Sequence, residues 1–190
     1  MLIVSQNISN YDFQIPSDCI FRINLAWCGS INEIESILKK QNKNKIFLDL
    51  PIGRIKPPNN RYTLNELIPI ITKFNNVKFL AVSNVETKED LDKFINSIPS
   101  NIIIVPKIES PNGINNIESI IEAIPSPEKI LMLDHDDLFS SIIKNGEKTE
   151  KFQEYIQKLV EFCNENNISL LRTVGVIFSD DEKRTTQYIK

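Results

Sequence analysis

Charged side chains follow two neighbouring apolar runs of the sequence. In the segment Ile104–Glu109, Lys107 and Glu109 stand two positions apart. Since side chains alternate between the faces of a strand, we expect these two to point the same way. The next apolar run leads directly into Asp134-His135-Asp136-Asp137, which adds three carboxylates. The two runs therefore predict acidic and basic groups side by side, a combination that can hold a metal or an anion.

Further polar residues interrupt or end the other apolar runs. Arg22 and Asn24 share one face of an early run, Asp49 ends the next, and Thr173 interrupts the last. In a barrel of parallel strands, the C-terminal ends of the strands carry the active site. Each residue alone also has a structural interpretation, such as an ion pair, a turn or a helix cap. The set is more informative than its members.

Short apolar runs alternate with amphipathic stretches along the whole chain, which predicts an α/β fold with a parallel sheet. Periodicity alone leaves an open doubly wound sheet and a (β/α) barrel as alternatives. No glycine-rich turn follows the first run, so an anion would have to be held by side chains or a metal. The predicted strands are Met1–Val4, Cys19–Ala26, Lys45–Leu50, Val77–Val82, Asn101–Val105, Lys129–Leu133 and Ser169–Ile177. Helices are predicted after Ser30 and Thr63, and over Lys88–Ile98, Asn115–Ile124 and Thr149–Asn166.

The composition narrows the classes of protein. The 190 residues carry a net charge of −3, which predicts one domain, 1–190, without the basic surface of a nucleic-acid-binding protein. No apolar run approaches the ~20 residues of a membrane helix, and no signal peptide is evident. The three cysteines are not clustered, as is typical of a reducing compartment. We therefore expect a cytoplasmic protein with neither a nucleic-acid nor a membrane partner.

Six short motifs in collinear order resemble the central barrel of pyruvate kinase, over roughly residues 20 to 175. This resemblance implies a pared-down or incomplete TIM (β/α)8 barrel that binds phosphoenolpyruvate or pyruvate. The motifs are Arg22-Ile23-Asn24; Leu48-Asp49 with Gly53-Arg54; Phe79–Val85 with Asp90-Leu91; Lys107-Ile108-Glu109 with Gly113, Asn116, Ile117 and Ile120; Asp137-Leu138; and Gln157-Lys158 with Cys163-Asn164 and Thr173.

The resemblance also implies roles at the centre of the site. Glu109 and Asp137 would bind a divalent metal, and carboxylates suit a hard cation such as Mg²⁺ or Mn²⁺. Lys107 would stabilise negative charge on a transferred phosphate or an enolate. Thr173 would lie near the site of proton transfer. With these groups, the metal could chelate a 2-oxo acid and stabilise its enolate.

Four more residues would complete the site by the same resemblance. Arg22 and Asn24 would contact the substrate phosphate, and Asp49 would help to hold a monovalent cation. Asp136 stands where the family places a glycine whose backbone lies against the substrate carboxylate. These residues predict a small anionic substrate, either an oxo acid or a phosphorylated compound.

Several departures argue against standard ADP-dependent kinase activity. The small nucleotide-covering domain and the C-terminal regulatory domain have no counterpart, Leu50-Pro51 replaces a Thr-Lys pair, and Asn24-Leu25-Ala26 lacks a hydroxyl ligand for the monovalent cation. We therefore expect a metal-dependent lyase, aldolase or specialised transferase. Small barrels of the citrate-lyase β-subunit group are similar in carrying a metal-binding Glu and Asp. The alternative is a non-catalytic barrel that acts as a binding or interaction module.

The length of the chain bears on its assembly. A (β/α)8 barrel typically has ~250 residues and at least ~200, and only Thr186–Lys190 remains for an eighth strand. An incomplete barrel exposes a strand edge and apolar surface, which proteins usually cover. We therefore expect a homodimer or a higher homo-oligomer.

Overall fold

The computed structural model describes residues 3–5, 16, 18–53 and 62–172. Within them, an all-parallel sheet of seven strands alternates with helices along the chain. The strands are β1 (Ile3–Ser5), β2 (Ile20–Asn24), β3 (Lys45–Leu50), β4 (Val77–Val82), β5 (Ile103–Ile108), β6 (Ile130–Leu133) and β7 (Ser169–Arg172). The helices are α1 (Ile31–Lys40), α2 (Leu64–Lys73), α3 (Glu89–Ile95), α4 (Pro111–Asn115), α5 (Ile117–Ala123), α6 (His135–Lys144) and α7 (Lys151–Glu165).

The strands pair in the order in which they occur in the sequence, from β1 to β7. A doubly wound open sheet reverses its strand order, whereas a barrel does not. The structure therefore decides between the two predicted architectures. It is an α/β fold with a curled, all-parallel, seven-stranded half-barrel, which is compatible with an incomplete barrel.

Side-chain alternation divides the core of the sheet into two apolar clusters. One cluster packs between the sheet and the helices and includes Phe21, Leu48 and Leu80. The other includes Ile20, Phe47, Phe79, Ala81, Val105, Ile130 and Met132. These residues alternate with those of the first cluster and therefore line the concave face. Two positions further along a strand, the same face carries Arg22, Asp49 and Lys107. The apolar floor of the half-barrel thus turns polar at the C-terminal ends of its strands.

Local hydrogen bonds fix several helix starts that the sequence predicts. The Ser30 hydroxyl accepts from the Glu33 backbone N–H at 3.2 Å, and Thr63 and Glu66 form a reciprocal capping box. The helix predicted over Asn115–Ile124 corresponds to α5 (Ile117–Ala123), and the short helix α4 precedes it and ends at Asn115. Helix α4, which begins after the Ser110 cap, was not predicted.

Helix α6 was absent from the predicted helices. It begins immediately after Asp134, whose carboxylate accepts from the Asp137 backbone N–H at 3.3 Å. The acidic run therefore caps a helix, which is the structural interpretation of such a run. The end of the last predicted strand and the segment Thr186–Lys190 lie outside the described residues. Among the described helices, none is both long and apolar enough to cross a lipid bilayer.

The three cysteines provide a test of this packing. Cys19, Cys28 and Cys163 form no disulfide, and at most 2% of their surface is exposed. Burial raises the pKa of the Cys163 thiol to about 11 and also raises the pKa of Cys19. Because the reactive species is the thiolate, we expect almost no reaction with an aromatic disulfide reagent in the native protein at pH 8.

Unfolding in guanidinium chloride should release all three thiols for stoichiometric reaction. A thiol that reacts in the native protein as fast as free cysteine would contradict the burial of the corresponding strand or helix.

Candidate functional site

Arg22 and Asp49 form the first ion pair of the concave face. They lie on neighbouring strands, where Asn24 of β2 is paired with Asp49 of β3. Asp49 Oδ2 accepts from Arg22 Nε at 3.1 Å and also from Arg22 Nη2. Asp49 is only 2% exposed, whereas the side chain of Arg22 is 19% exposed. The arginine therefore reaches the surface of the site while its carboxylate partner stays beneath it.

Lys107 joins this pair to the next strand. Its Nζ lies 2.8 Å from Glu109 Oε1 and 3.6 Å from Asp49 Oδ1, and it donates to Ser83 Oγ at 3.2 Å. Burial lowers the pKa of Lys107, but the carboxylates of Asp49 and Glu109 outweigh that effect and hold the pKa above its ordinary value. The lysine is therefore a fixed ammonium group at neutral pH.

Glu109 is buried and has partners on two sides. Besides Lys107, its Oε2 accepts from the backbone N–H of Asn84 at 2.7 Å. Asn84 adopts a left-handed backbone conformation with φ of 54°, and its side-chain amide donates to the Ile52 carbonyl. The turn after β4 is thus anchored so that its N–H points at the carboxylate. Burial nevertheless raises the pKa of Glu109, and the charge of Asp134 adds to the rise.

Three carboxylates converge beside Lys107. One oxygen from each of Glu109, Asp134 and Asp137 lies within 4.8 Å of the other two. Lys107 of β5 pairs with Met132 of β6, and extending this register by two residues places Glu109 beside Asp134. Asp137 follows Asp134 by three residues, which brings both to one side of the first turn of α6. Glu109 is buried, Asp134 is half-buried and Asp137 is exposed, so the cluster opens to solvent. This triad could hold a divalent metal.

The described residues of the network and the triad carry more negative than positive charge. Within the network and the triad, the described side chains comprise two cations and four carboxylates, a formal excess of two negative charges when all are ionised. Like charges at this spacing repel one another strongly where water is scarce. One divalent cation at the triad would neutralise the excess. The charged residues are Arg22, Lys107, Asp49, Glu109, Asp134 and Asp137.

The structure brings most of the predicted site residues together. Arg22, Asp49, Lys107 and Glu109 form one network, and Asp137 joins it through the triad. Of the remaining three predicted residues, the structure describes Asn24 and Asp136. Asn24 accepts from the Ala26 backbone N–H at 3.0 Å and caps the short 3₁₀ helix Leu25–Trp27; Asp136 is exposed and outside the triad; and Thr173 lies outside the described residues.

Sequence reasoning missed two contributors to the site. Asp134 was treated only as part of an acidic run, although its three-residue spacing from Asp137 signals two carboxylates on one helix turn. Ser83 lies two residues after Ala81, which lines the concave face, so strand alternation identifies it. The single histidine, His135, packs its ring edge against Phe152 with 6.4 Å between centroids. Burial, and then the charge of Arg172, lowers the pKa of His135.

Comparison with known proteins supports the fold alone. No protein-family model matches the chain, and no curated protein matches it. Among solved structures, RipC from Yersinia pestis is similar, with a TM-score of 0.60 and 18% sequence identity over 94% of this chain and 77% of that chain. An identity this low carries no information about the reaction.

The assignment to pyruvate kinase is therefore wrong. The fold comparison supports the architecture of RipC, and neither a family model nor a curated protein supports a kinase. The six motifs misled for a physical reason. They cluster at strand ends, where any barrel that carries charged groups on its concave face places Lys, Glu, Asp and Arg at similar intervals.

Asp49→Asn tests whether the ion network holds the site together. The substitution keeps the shape but leaves Arg22 and Lys107 without the charge that they share. Removal of one partner from a buried ionic network costs about 3 kcal/mol, and urea denaturation should measure a loss of this size.

Glu35→Gln is the matched control, because Glu35 also contacts two cations, Lys39 and Lys73, but on the surface. Its loss should cost only a small fraction of the Asp49 effect. Equal losses in the two variants would show that the buried network does not stabilise the fold.

Proposed function

We propose that this chain is a metal-dependent enzyme that acts on a small 2-oxo acid through an enolate, in the lyase or aldolase class. The observation that carries the proposal is the convergence of Glu109, Asp134 and Asp137 beside the buried ammonium group of Lys107. Carboxylates and a fixed cation at the C-terminal ends of parallel strands suit chemistry in which negative charge develops on an oxygen.

The triad would hold Mg²⁺ or Mn²⁺ through carboxylate oxygens. Both cations prefer oxygen ligands and commonly leave several positions to water or substrate. A metal bound here would act as a Lewis acid toward the carboxylate and oxo oxygens of the substrate. The exposure of Asp137 would give a substrate access to that position.

Lys107 would contribute electrostatic stabilisation rather than covalent catalysis. Its raised pKa keeps the amine protonated, and Ser83, Asp49 and Glu109 fix its position. A nucleophilic lysine needs a lowered pKa. We therefore expect no Schiff base between Lys107 and an oxo acid, which distinguishes this site from that of a lysine-dependent aldolase.

The existing charges favour a carboxylate over a phosphate as the anionic group of the substrate. Asp49 and Glu109 already offset the charges of Arg22 and Lys107, so these two cations have little charge left for a phosphate dianion. Asp49 accepts from the Nε and Nη2 of Arg22, and the guanidinium group has five N–H donors in all. Its partly exposed edge could therefore orient a single substrate carboxylate.

Metal binding tests the first half of this proposal. A ligand that binds only the folded state at ten times its dissociation constant adds about 1.4 kcal/mol of stability. For a chain of this length, the unfolding temperature should rise by about 3–5 °C. We expect this rise with Mn²⁺ or Mg²⁺ in the wild type, and its reversal by a chelator, in a thermal melt followed by circular dichroism.

Asp137→Asn should abolish the rise, and Asp136→Asn is its control. The two residues are adjacent and exposed, but only Asp137 belongs to the triad. An identical metal response in both variants, or none in the wild type, would rule out the triad as a metal site.

Enolate chemistry is tested by exchange of the pyruvate methyl protons with deuterated water, followed by NMR. We expect exchange that requires both Mg²⁺ and the wild-type triad. Removal of one electrostatic donor at a developing oxyanion costs about 10²–10³ in rate, so Lys107→Gln should slow exchange by about that factor while the fold is monitored by circular dichroism.

Borohydride treatment with pyruvate should leave the mass of the protein unchanged, since no Schiff base is expected. If metal binds but neither pyruvate, oxaloacetate nor phosphoenolpyruvate exchanges or turns over, the chain would instead be a metal-binding interaction module.

A further inference from the structure

The outward face of helix α6 is unusually apolar for a surface. Phe139 and Ile143 are 41% and 49% exposed, and among the described residues only Trp27 shares this combination of large apolar side chain and exposure. Asp136, Ser140 and Lys144 are exposed beside them. These five residues follow the spacing i, i+3, i+4, i+7 and i+8, which places them on one stripe of a helix. We call this stripe the α6 face.

The α6 face is held rigidly by the core behind it. Leu138 and Ile142 of the same helix are fully buried. Phe139 also meets Phe152 of α7 edge-on, with 5.3 Å between ring centroids. The exposed apolar groups therefore have fixed positions, and a partner that covered them would not have to order a flexible segment.

The charges of the α6 face are arranged to match a reversed copy of the same face. Asp136 lies in the first turn, Lys144 lies in the last, and the small residue Ser140 stands midway. At about 1.5 Å per residue, each charge is about 6 Å along the axis from Ser140. An antiparallel copy centred on Ser140 therefore brings each Asp136 opposite the Lys144 of the other helix. The short serine side chain permits close approach at the centre.

We propose that the α6 face binds the α6 face of a second copy of this chain across a two-fold axis near Ser140. The contact is isologous, with an apolar centre formed by Phe139 and Ile143 and two equivalent Asp136–Lys144 pairs at its ends. One helix pair covers less than the ~1,000 Å² of a stable interface, so the dimer forms reversibly and depends on protein concentration. This proposal does not depend on the metal or on the proposed reaction.

Disulfide trapping tests the geometry directly. Ser140→Cys places one accessible thiol on the two-fold axis, while the three native thiols are buried. Mild oxidation should yield a covalent dimer on a non-reducing gel. Ser36→Cys is the matched control, because Ser36 is an exposed serine on a different helix, α1. Equal cross-linking in the two variants, or none with Ser140→Cys, would overturn the proposal.

Charge reversal tests the pairing. Lys144→Glu replaces two attractive contacts by two repulsive ones and should raise the dimer dissociation constant about tenfold in sedimentation equilibrium. The double variant Asp136→Lys, Lys144→Glu should restore the wild-type value, and added salt should reduce both effects. A wild-type chain that stays monomeric at the highest soluble concentration, or a double variant no tighter than Lys144→Glu, would refute the proposal.

Ile143→Asn should weaken the dimer without disturbing the Phe139–Phe152 contact. This variant therefore separates loss of the interface from loss of the fold.

Discussion

The buried ammonium group of Lys107 is the constraint on which the site depends. A charge in this position is strongly unfavourable without counter-charges, and Asp49 and Glu109 supply them from β3 and from the end of β5. Ser83 after β4 supplies a further acceptor. These contacts require neighbouring strands in unbroken order and in a fixed register, because a slip of one residue would turn Asp49 or Lys107 into the apolar layer beneath the helices. The charge network therefore requires this strand order and register, and the curled sheet provides them.

Glu109 links this structural network to the proposed chemistry. One of its oxygens faces Lys107, the other accepts from the Asn84 N–H, and the same carboxylate contributes to the triad. These contacts therefore fix the position of the Glu109 carboxylate without a bound cation. Asp134 is fixed in another way, because it caps α6 through the Asp137 N–H. The triad is consequently assembled from one carboxylate that the network holds and two that stand at the start of α6.

The sequence was most informative where a single strand decides the outcome. The two-residue spacing of Lys107 and Glu109 predicted a common face, and the contact between them confirms it. Strand-by-strand apolarity likewise predicted the parallel sheet. Prediction from the sequence failed where several local effects compete to decide the structure. The short helix α4 was not predicted, and Asp134 belongs to both a helix cap and a carboxylate cluster, which no local pattern separates. The family assignment failed because strand-end charges reflect the architecture as much as ancestry.

The excess of negative charge among the described residues of the network and the triad bears on the order of binding under the proposed function. An anionic oxo acid that approached the triad first would meet the carboxylates of Glu109, Asp134 and Asp137, of which Glu109 is paired with Lys107. The repulsion at short distance in a partly dehydrated site opposes that approach. A divalent cation removes the excess and at the same time presents open positions to oxygen ligands. Electrostatics therefore favours binding of the metal before the substrate. The affinity for the anion then depends on whether the triad holds a metal.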